Sequence, residues 1–295
     1  MPDTLKDQRR ATAFGLGAVA AWSTVATAFK LALRHLEPTQ LLFTATAVSL
    51  LTLTLVLAWQ RRLGALRATP PAARTRALLL GLLNPFLYYL VLFAAYDRLP
   101  AQVAQPVNYT WALTLSWLSI PLLGQKARLR DLLAGVVCYG GVALIATGGD
   151  VSGFRTADPL GVGLALFSTV IWALYWIANT RSPLEPVTGL WWNFAGALLP
   201  VTAVTLLTDG LVLPAAGLAG GAYVGVFEMG LTFVLWGKAL KLAENTSRVA
   251  NLIFLSPFLS LLLIQFVLKE PVRPATVAGL GLIVGGLVWQ GRGRK

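Results

Sequence analysis

The sequence predicts an all-α membrane protein with ten transmembrane helices, arranged as two inverted five-helix repeats. Three observations carry that prediction. First, 56% of the 295 residues are apolar and only 12% are charged, against roughly 25% charged in an ordinary soluble domain. Second, the apolar residues fall in runs near the roughly 20 needed to cross a hydrocarbon core. Third, the chain resembles itself when slid by about 144 positions, the kind of period that marks an internal repeat. A soluble enzyme of this size is excluded, because a mean hydropathy of +0.69 leaves too little polar material for a water-facing surface.

The runs follow in order, each delimited by polar, Gly or Pro punctuation. The first ten residues are hydrophilic and end in Arg9 and Arg10, and the run at 11–33 is too long for a signal-peptide core, so it is the first span. The second is 39–59. A polar loop with Pro70 and Pro71 precedes the third, 76–96, which carries Asn84 directly before Pro85. The fourth, 101–123, holds Asn108, and the fifth is 131–148. The sixth at 159–179 and the seventh at 186–207 are rich in aromatic residues. The eighth, 217–238, has Glu228 near its middle; the ninth, 246–268, carries Pro257; the tenth, 274–290, is rich in Gly. Helices are expected rather than barrel strands because the runs are continuous, with no alternation of apolar and polar residues.

Eighteen of the 24 Lys and Arg residues fall on one set of connections, which places both termini in the cytoplasm. The net charge of +12 is therefore a topology signal and not a nucleic-acid footprint. One cysteine, Cys138, forms no intrachain disulfide, and with His35 as the lone histidine no metal site and no cofactor are expected. No Gly-x-Ser-x-Gly or His-Glu-x-x-His pattern occurs, so an intramembrane enzyme lacks its parts and no catalytic residue is assigned.

At a displacement of 144, Ala95 falls on Ala239, Ala134-Gly135 on Ala278-Gly279, and Gly141 on Gly285. The repeats are 1–148 and 149–295. Five spans per half is an odd number, so the second half enters the membrane inverted, the plan of secondary transporters with a site near the midplane. Four-residue glycine spacings, Gly217-Gly221-Gly225 and Gly281-Gly285, are read as close helix packing.

Glu228 is the most expensive residue at this depth, and a mid-membrane carboxylate points to function, with interhelical hydrogen bonding as the plainer alternative. Its repeat partner is Asn84; Asn108 and Asn251 form a second pair at 143. Tyr88 follows Asn84 by one turn, Trp111 follows Asn108 by three positions and Trp176 follows Trp172 by four, so each pair shares a helix face. Trp59 and Trp289 sit at span ends as ordinary interface anchors. Pro85 and Pro257, near mid-span, are candidate hinges for gating, or else static kinks.

The Gly-rich last helix of each half, Ala134-Gly135 to Ile145 and Ala278-Gly279 to Val288, follows a recognisable pattern. So does the stretch from Ser256-Pro257 through Lys269-Glu270-Pro271 into Ala278-Gly279. With these motifs the chain resembles the drug/metabolite transporter superfamily, specifically its EamA-type members, over nearly its whole length. It departs at Leu268-Lys269, where the family has Gly before Glu270, and at Gly124-Gln125-Lys126, which lacks the acidic residue. Within the superfamily it looks most like the YddG-type aromatic amino acid exporters. That resemblance implies a multi-pass protein of the bacterial inner membrane that exports aromatic and other neutral amino acids by alternating access. Asn84, Asn108, Glu228 and Asn251 would then bind the zwitterionic end, with Tyr88, Trp111, Trp172 and Trp176 stacking on the side chain. The expected partners are a small-molecule amino acid and the lipid bilayer, the chain acting as a monomer or weak dimer. A carrier of another metabolite, such as a nucleotide sugar or a drug, is the alternative; phosphates would require Lys or Arg in the cavity, and Lys30 and Lys238 lie near span ends.

Overall fold

A computed structural model describes residues 6–124, 129–150, 158–179, 181–244, 249 and 251–291, without the side chains at 131, 241 and 251. Among these residues the chain is helical and contains no strand. The helices are α1 (Gln8–Ala32), α2 (Pro38–Trp59), α3 (Gly64–Arg67), α4 (Pro71–Gly81), α5 (Tyr88–Arg98), α6 (Ala101–Asn108), α7 (Trp111–Leu123) and α8 (Leu129–Thr147). They continue with α9 (Pro159–Asn179), α10 (Pro186–Thr208), α11 (Ala215–Tyr223), α12 (Thr232–Leu242), α13 (Ser256–Leu263) and α14 (Pro274–Gly291). Helical structure occupies every predicted run. Six stretches are long and apolar enough to cross a bilayer: 8–32, 38–59, 71–98, 159–179, 186–208 and 215–240. Those at 132–147, 252–268 and 274–290 are apolar but shorter.

The start signals are local. An acidic residue followed by proline opens α2 (Glu37-Pro38), α9 (Asp158-Pro159) and α10 (Glu185-Pro186). Proline is pre-set for the first helical position, and the preceding carboxylate suits the N-terminal dipole and its free N–H groups. The Glu185 carboxylate accepts from the Val187 and Thr188 amides, and that of Asp158 from the Leu160 and Gly161 amides. Asp158 also receives Arg98 Nη1 at 3.1 Å, and this hydrogen bond holds its carboxyl below the usual range.

The chain forms two compact units, 1–81 with 183–263 and 82–182 with 264–295. Two of the three chain boundaries between them fall inside the third and ninth predicted spans, and the other lies in the connection between the sixth and seventh. Each unit draws on both halves of the sequence, so this is a different division from the repeats 1–148 and 149–295.

In the first unit α1 packs on α12 and α13, while α10 packs on α2 and α4. The glycines spaced by four act as expected: Gly217 lies against Leu36, Gly221 against Thr44 and Gly225 against Val48 and the Ala45 carbonyl, seating α11 and the residues after it on α2. A Cβ at Gly81 would overlap the Asn193 carbonyl, and one at Gly196 the Leu78 carbonyl, so α4 and α10 touch backbone to backbone. Ala11, Ala239, Ala243 and Val249 form a buried apolar cluster under Phe14 and Trp236.

In the second unit α14 packs along α8, and the glycines responsible differ from those expected. Gly279 meets the Gly141 carbonyl, and Gly286 meets Cys138 Sγ, whereas Gly281 and Gly285 have nothing within 4 Å. Residues 279 and 286 are seven apart and return to one helix face; 281 and 285 lie on the opposite side. Gln102 ties the start of α6 to the start of α14: its Nε2 donates to the Pro271 carbonyl at 2.9 Å, and its Oε1 accepts from the Arg273 amide and the Thr276 hydroxyl.

The interruptions recur with the repeat. Shifted by 144, α5 falls residue for residue on α12, and the π-helical segment Leu82–Leu87 falls within its counterpart Val224–Leu231. The gap between α6 and α7 at Tyr109-Thr110, shifted by 143, lands in the 3-10 segment Asn251–Leu255.

Overpacking a tight helix contact costs about 1–3 kcal/mol. Gly196→Ala is therefore expected to lower the Tm in detergent by several degrees, while Gly163→Ala, where nothing lies within 4 Å, leaves it unchanged or raised. Equal losses for both would show that the α4–α10 contact is not close-packed.

Candidate functional site

The third span is interrupted at Asn84, whose φ of −145° and ψ of 121° are extended rather than helical; the Asn84–Pro85 peptide is cis. Pro85 has no N–H to close the turn. Asn84 is 2% exposed, and its Oδ1 has no hydrogen-bond partner among the described residues. One turn on, α5 opens with Tyr88 and Tyr89.

Within the second unit α9 packs against α5, α6 and α7, and its residues at 168, 172, 175 and 176 project from neighbouring positions of successive turns. Trp172 is the hub. Its ring centroid lies 4.5 Å from Tyr88 with planes tilted by 33°, 5.7 Å from Trp176, 6.0 Å from Tyr175 and 6.4 Å from Trp111. Tyr88 in turn lies 4.7 Å from Tyr89, and Tyr89 5.4 Å from Phe93. Tyr88, Tyr89 and Tyr175 are buried, whereas Trp111, Trp172 and Trp176 are half-buried and keep part of their surface free.

A polar chain runs beside the rings. The Tyr88 hydroxyl donates to Asn108 Oδ1 at 3.4 Å, Asn108 Nδ2 donates to Ser168 Oγ at 2.9 Å, and Ser168 donates to the Ala165 carbonyl at 2.7 Å. Between α7 and α9, the Thr114 and Thr169 hydroxyls share a hydrogen bond of 2.9 Å. Both ends of the Asn108 amide are engaged, which fixes its orientation. The result is a set of partly exposed rings on a carboxamide-and-hydroxyl frame, suited to a flat molecule that also has a polar end.

Five of the residues singled out from sequence, Tyr88, Asn108, Trp111, Trp172 and Trp176, thus lie together in one unit, with Asn84 on the same unit. Glu228 and Asn251 belong to the first unit. Glu228 lies midway along the 215–240 stretch, inside the π-helical segment; it is half-buried and its Oε2 is shielded from solvent. A π turn shifts the backbone bonds there, and the Thr232 hydroxyl donates to the Phe227 carbonyl. Asn251 opens the 3-10 segment, and its side chain lies outside the described residues. Pro257 occupies the first turn of α13, where a missing N–H breaks no bond within α13. The irregular backbone of the ninth span therefore precedes Pro257, at Asn251–Leu255.

Ser168 and Tyr175 were not singled out as site residues. Ser168 had a signal, being a polar residue one turn before Trp172. The first unit holds a second ring group that sequence reasoning also passed over: Trp22 lies 5.9 Å from Phe233 and 5.4 Å from Trp236, and Phe233 is the 144-residue counterpart of Tyr89.

The profile of the EamA-like transporter family matches residues 9–147 and 159–290. The chain is 27% identical over 224 residues to Protein PecM of Dickeya dadantii, covering 72% of each chain. It is 26% identical over 207 residues to the aromatic amino acid exporter YddG of Ancylobacter novellus, covering 68% of this chain and 70% of that one. It is 27% identical to the uncharacterized transporter YvbV of Bacillus subtilis, over 69% of this chain and 67% of that one. A solved crystal structure with 24% identity covers 98% of this chain and 100% of its own, with a TM-score of 0.65, and shares the fold.

Removing Ser168 from Asn108 strands a polar group at a cost of about 1–3 kcal/mol. Asn108→Leu and Ser168→Ala are each expected to destabilise the protein, and the double variant to lose at least about 0.5 kcal/mol less than the sum of the singles. Strict additivity in a double-mutant cycle would show that this hydrogen bond carries no energy.

Proposed function

We propose, on the premise that this chain belongs to the EamA-like transporter family, that it exports aromatic and other neutral amino acids by alternating access. The family is one of transporters and not of enzymes, and the chain is a multi-pass membrane protein. In this reading the protein crosses the bacterial inner membrane ten times, with both termini cytoplasmic and with halves 1–148 and 149–295 forming an inverted repeat.

The observation that carries the substrate class is the Trp172 ring group resting on Asn108 and Ser168. Four half-buried or buried rings, Tyr88, Trp111, Trp172 and Trp176, are assigned to stacking on the substrate side chain, and Asn84 and Asn108 to its polar end. Glu228 and Asn251, the other polar residues proposed for binding, belong to the first unit. The similarity to a relative named as an aromatic amino acid exporter supports this choice and supplies the direction of transport. The matching interruptions of the third and eighth spans, and of the fourth and ninth, support the mechanism, because broken helices at corresponding places in two halves mark the site and the moving parts of secondary carriers. Pro85 lies inside one of these breaks and Pro257 just after another, and both are the proposed gating positions. A phosphorylated substrate is disfavoured: Lys238 Nζ lies over the rings of Phe14 and Trp59, at 5.7 and 5.4 Å from their centroids, near the end of α12.

Purified protein in liposomes is expected to carry labelled phenylalanine and tryptophan faster than glutamate. Losing two or more ring contacts, each worth about 0.5–1.5 kcal/mol, makes Trp172→Ala raise the KM for phenylalanine about tenfold or more, with a smaller effect on alanine. Glu228→Gln is expected to cut flux at least about tenfold. Wild-type flux in Glu228→Gln removes that residue from the mechanism, and absence of amino acid flux in the wild type overturns the substrate assignment.

A further inference from the structure

Basic residues near span ends ordinarily pair with a carboxylate or reach into water. Two arginines of the first unit are paired: Arg10 with Asp7 and Arg62 with Glu185, both at 3.4 Å. Lys238 on α12 is held differently. It is half-buried and makes no ion pair among the described residues, and its Nζ lies over two rings, 5.4 Å from the centroid of Trp59 and 5.7 Å from that of Phe14. Phe14 belongs to α1 and Trp59 closes α2, so three helices of one unit meet at this ammonium, each within about two turns of its end.

The rings fix the position of this charge without cancelling it. An aromatic face attracts a cation through its quadrupole, yet it carries no formal negative charge and no lone pair for the three N–H donors. Phe14 packs on the buried cluster of Ala11, Ala239, Ala243 and Val249, whereas Trp59 is 77% exposed. A charge beside apolar rings also attracts an anion more strongly than one surrounded by water.

The kind of anion follows from the surface that leads to it. Leu51, Leu55 and Trp59 recur every four residues on one face of α2, and the two leucines are 58% and 61% exposed. α2 is long and apolar enough to cross a bilayer, so acyl chains cover this stripe, and it ends at Trp59, where headgroups begin. Beyond it come Arg61, Arg62, Arg67, Arg74 and Arg76, with no Asp or Glu anywhere in 60–81, the pattern of basic residues next to a span that draws anionic lipid. A choline or ethanolamine headgroup would bring its own cation against Lys238; a phosphodiester without one would not. We propose that Lys238 and Trp59 hold one anionic phospholipid, its phosphate on the Lys238 ammonium and an acyl chain along Leu55 and Leu51. The site depends on the membrane placement of α2 and not on which solute is transported.

Brominated lipids quench tryptophan on contact and test this directly. Purified protein in phosphatidylcholine vesicles is titrated with dibrominated phosphatidylglycerol or dibrominated phosphatidylcholine, and the Trp59 signal is the quenching lost in Trp59→Phe. That signal is expected to saturate at a mole fraction of phosphatidylglycerol at least about fivefold lower than of phosphatidylcholine. Lys238→Gln removes the preference, and Lys238→Arg, which keeps the charge, retains it. Arg67→Gln, which removes an equal charge from an exposed position on α3, also retains it. Equal quenching of the wild type by the two lipids, or a loss in Arg67→Gln as large as in Lys238→Gln, overturns the site. Displacement of the lipid by water-soluble glycerol phosphate overturns the lipid assignment in favour of a free phosphate. No transported solute is present, so this proposal and the amino acid assignment fail independently.

Discussion

Hydrocarbon offers no hydrogen-bond partner, and the organisation of this chain depends on that constraint. Every backbone N–H and C=O at membrane depth must be satisfied within the protein. Long helices do this by themselves, which explains an all-helical chain among the described residues. It also explains why side-chain hydroxyls such as Ser49 and Thr54 fold back on their own helix. Departures from the helix are costly, so their location carries information. Here they gather at 82–87, 109–110, 224–231 and 251–255, near the middles of four spans, and they correspond under the sequence repeat.

With the backbone satisfied internally, association of the helices falls to packing. Lipid is as apolar as leucine, so close approach of small residues does the work. Gly81 and Gly196 bring α4 onto α10, Gly217 to Gly225 bring the eighth span onto α2, and Gly141 with Gly279 bring α8 onto α14. Polar ties add to this both at span ends, as with Gln102 at the start of α14, and inside the spans, as between Asn108 and Ser168. The same economy makes the ring group around Trp172 stand out. Large amphipathic rings and an amide are gathered on α5, α6, α7 and α9.

How far the site was legible depended on the range of each signal. Tyr88, Asn108, Trp111, Trp172 and Trp176 were readable because polar and aromatic residues at helical spacing share a face, a property of adjacent turns. That all five belong to one unit was not readable, since it depends on α9 packing simultaneously against α5, α6 and α7. Ser168 was overlooked because a serine in a membrane helix is ordinary; only its hydrogen bond to Asn108 distinguishes it. Pro257 was read as a mid-span hinge or kink; the structure starts α13 around it and puts the irregular backbone just before.

Sequence alone determined the membrane class, the positions of the helical runs and the family, because hydropathy, acid-proline starts and repeat spacing are local or periodic properties of the chain. Tertiary structure decided which of several equivalent-looking residues are used. Gly279 and Gly286 face α8 while Gly281 and Gly285 do not, a matter of helix rotation that a spacing of four cannot reveal. It also decided that each compact unit draws on both halves. Rotation about a helix axis and the choice of neighbour are settled by packing, and packing is a property of the assembled chain.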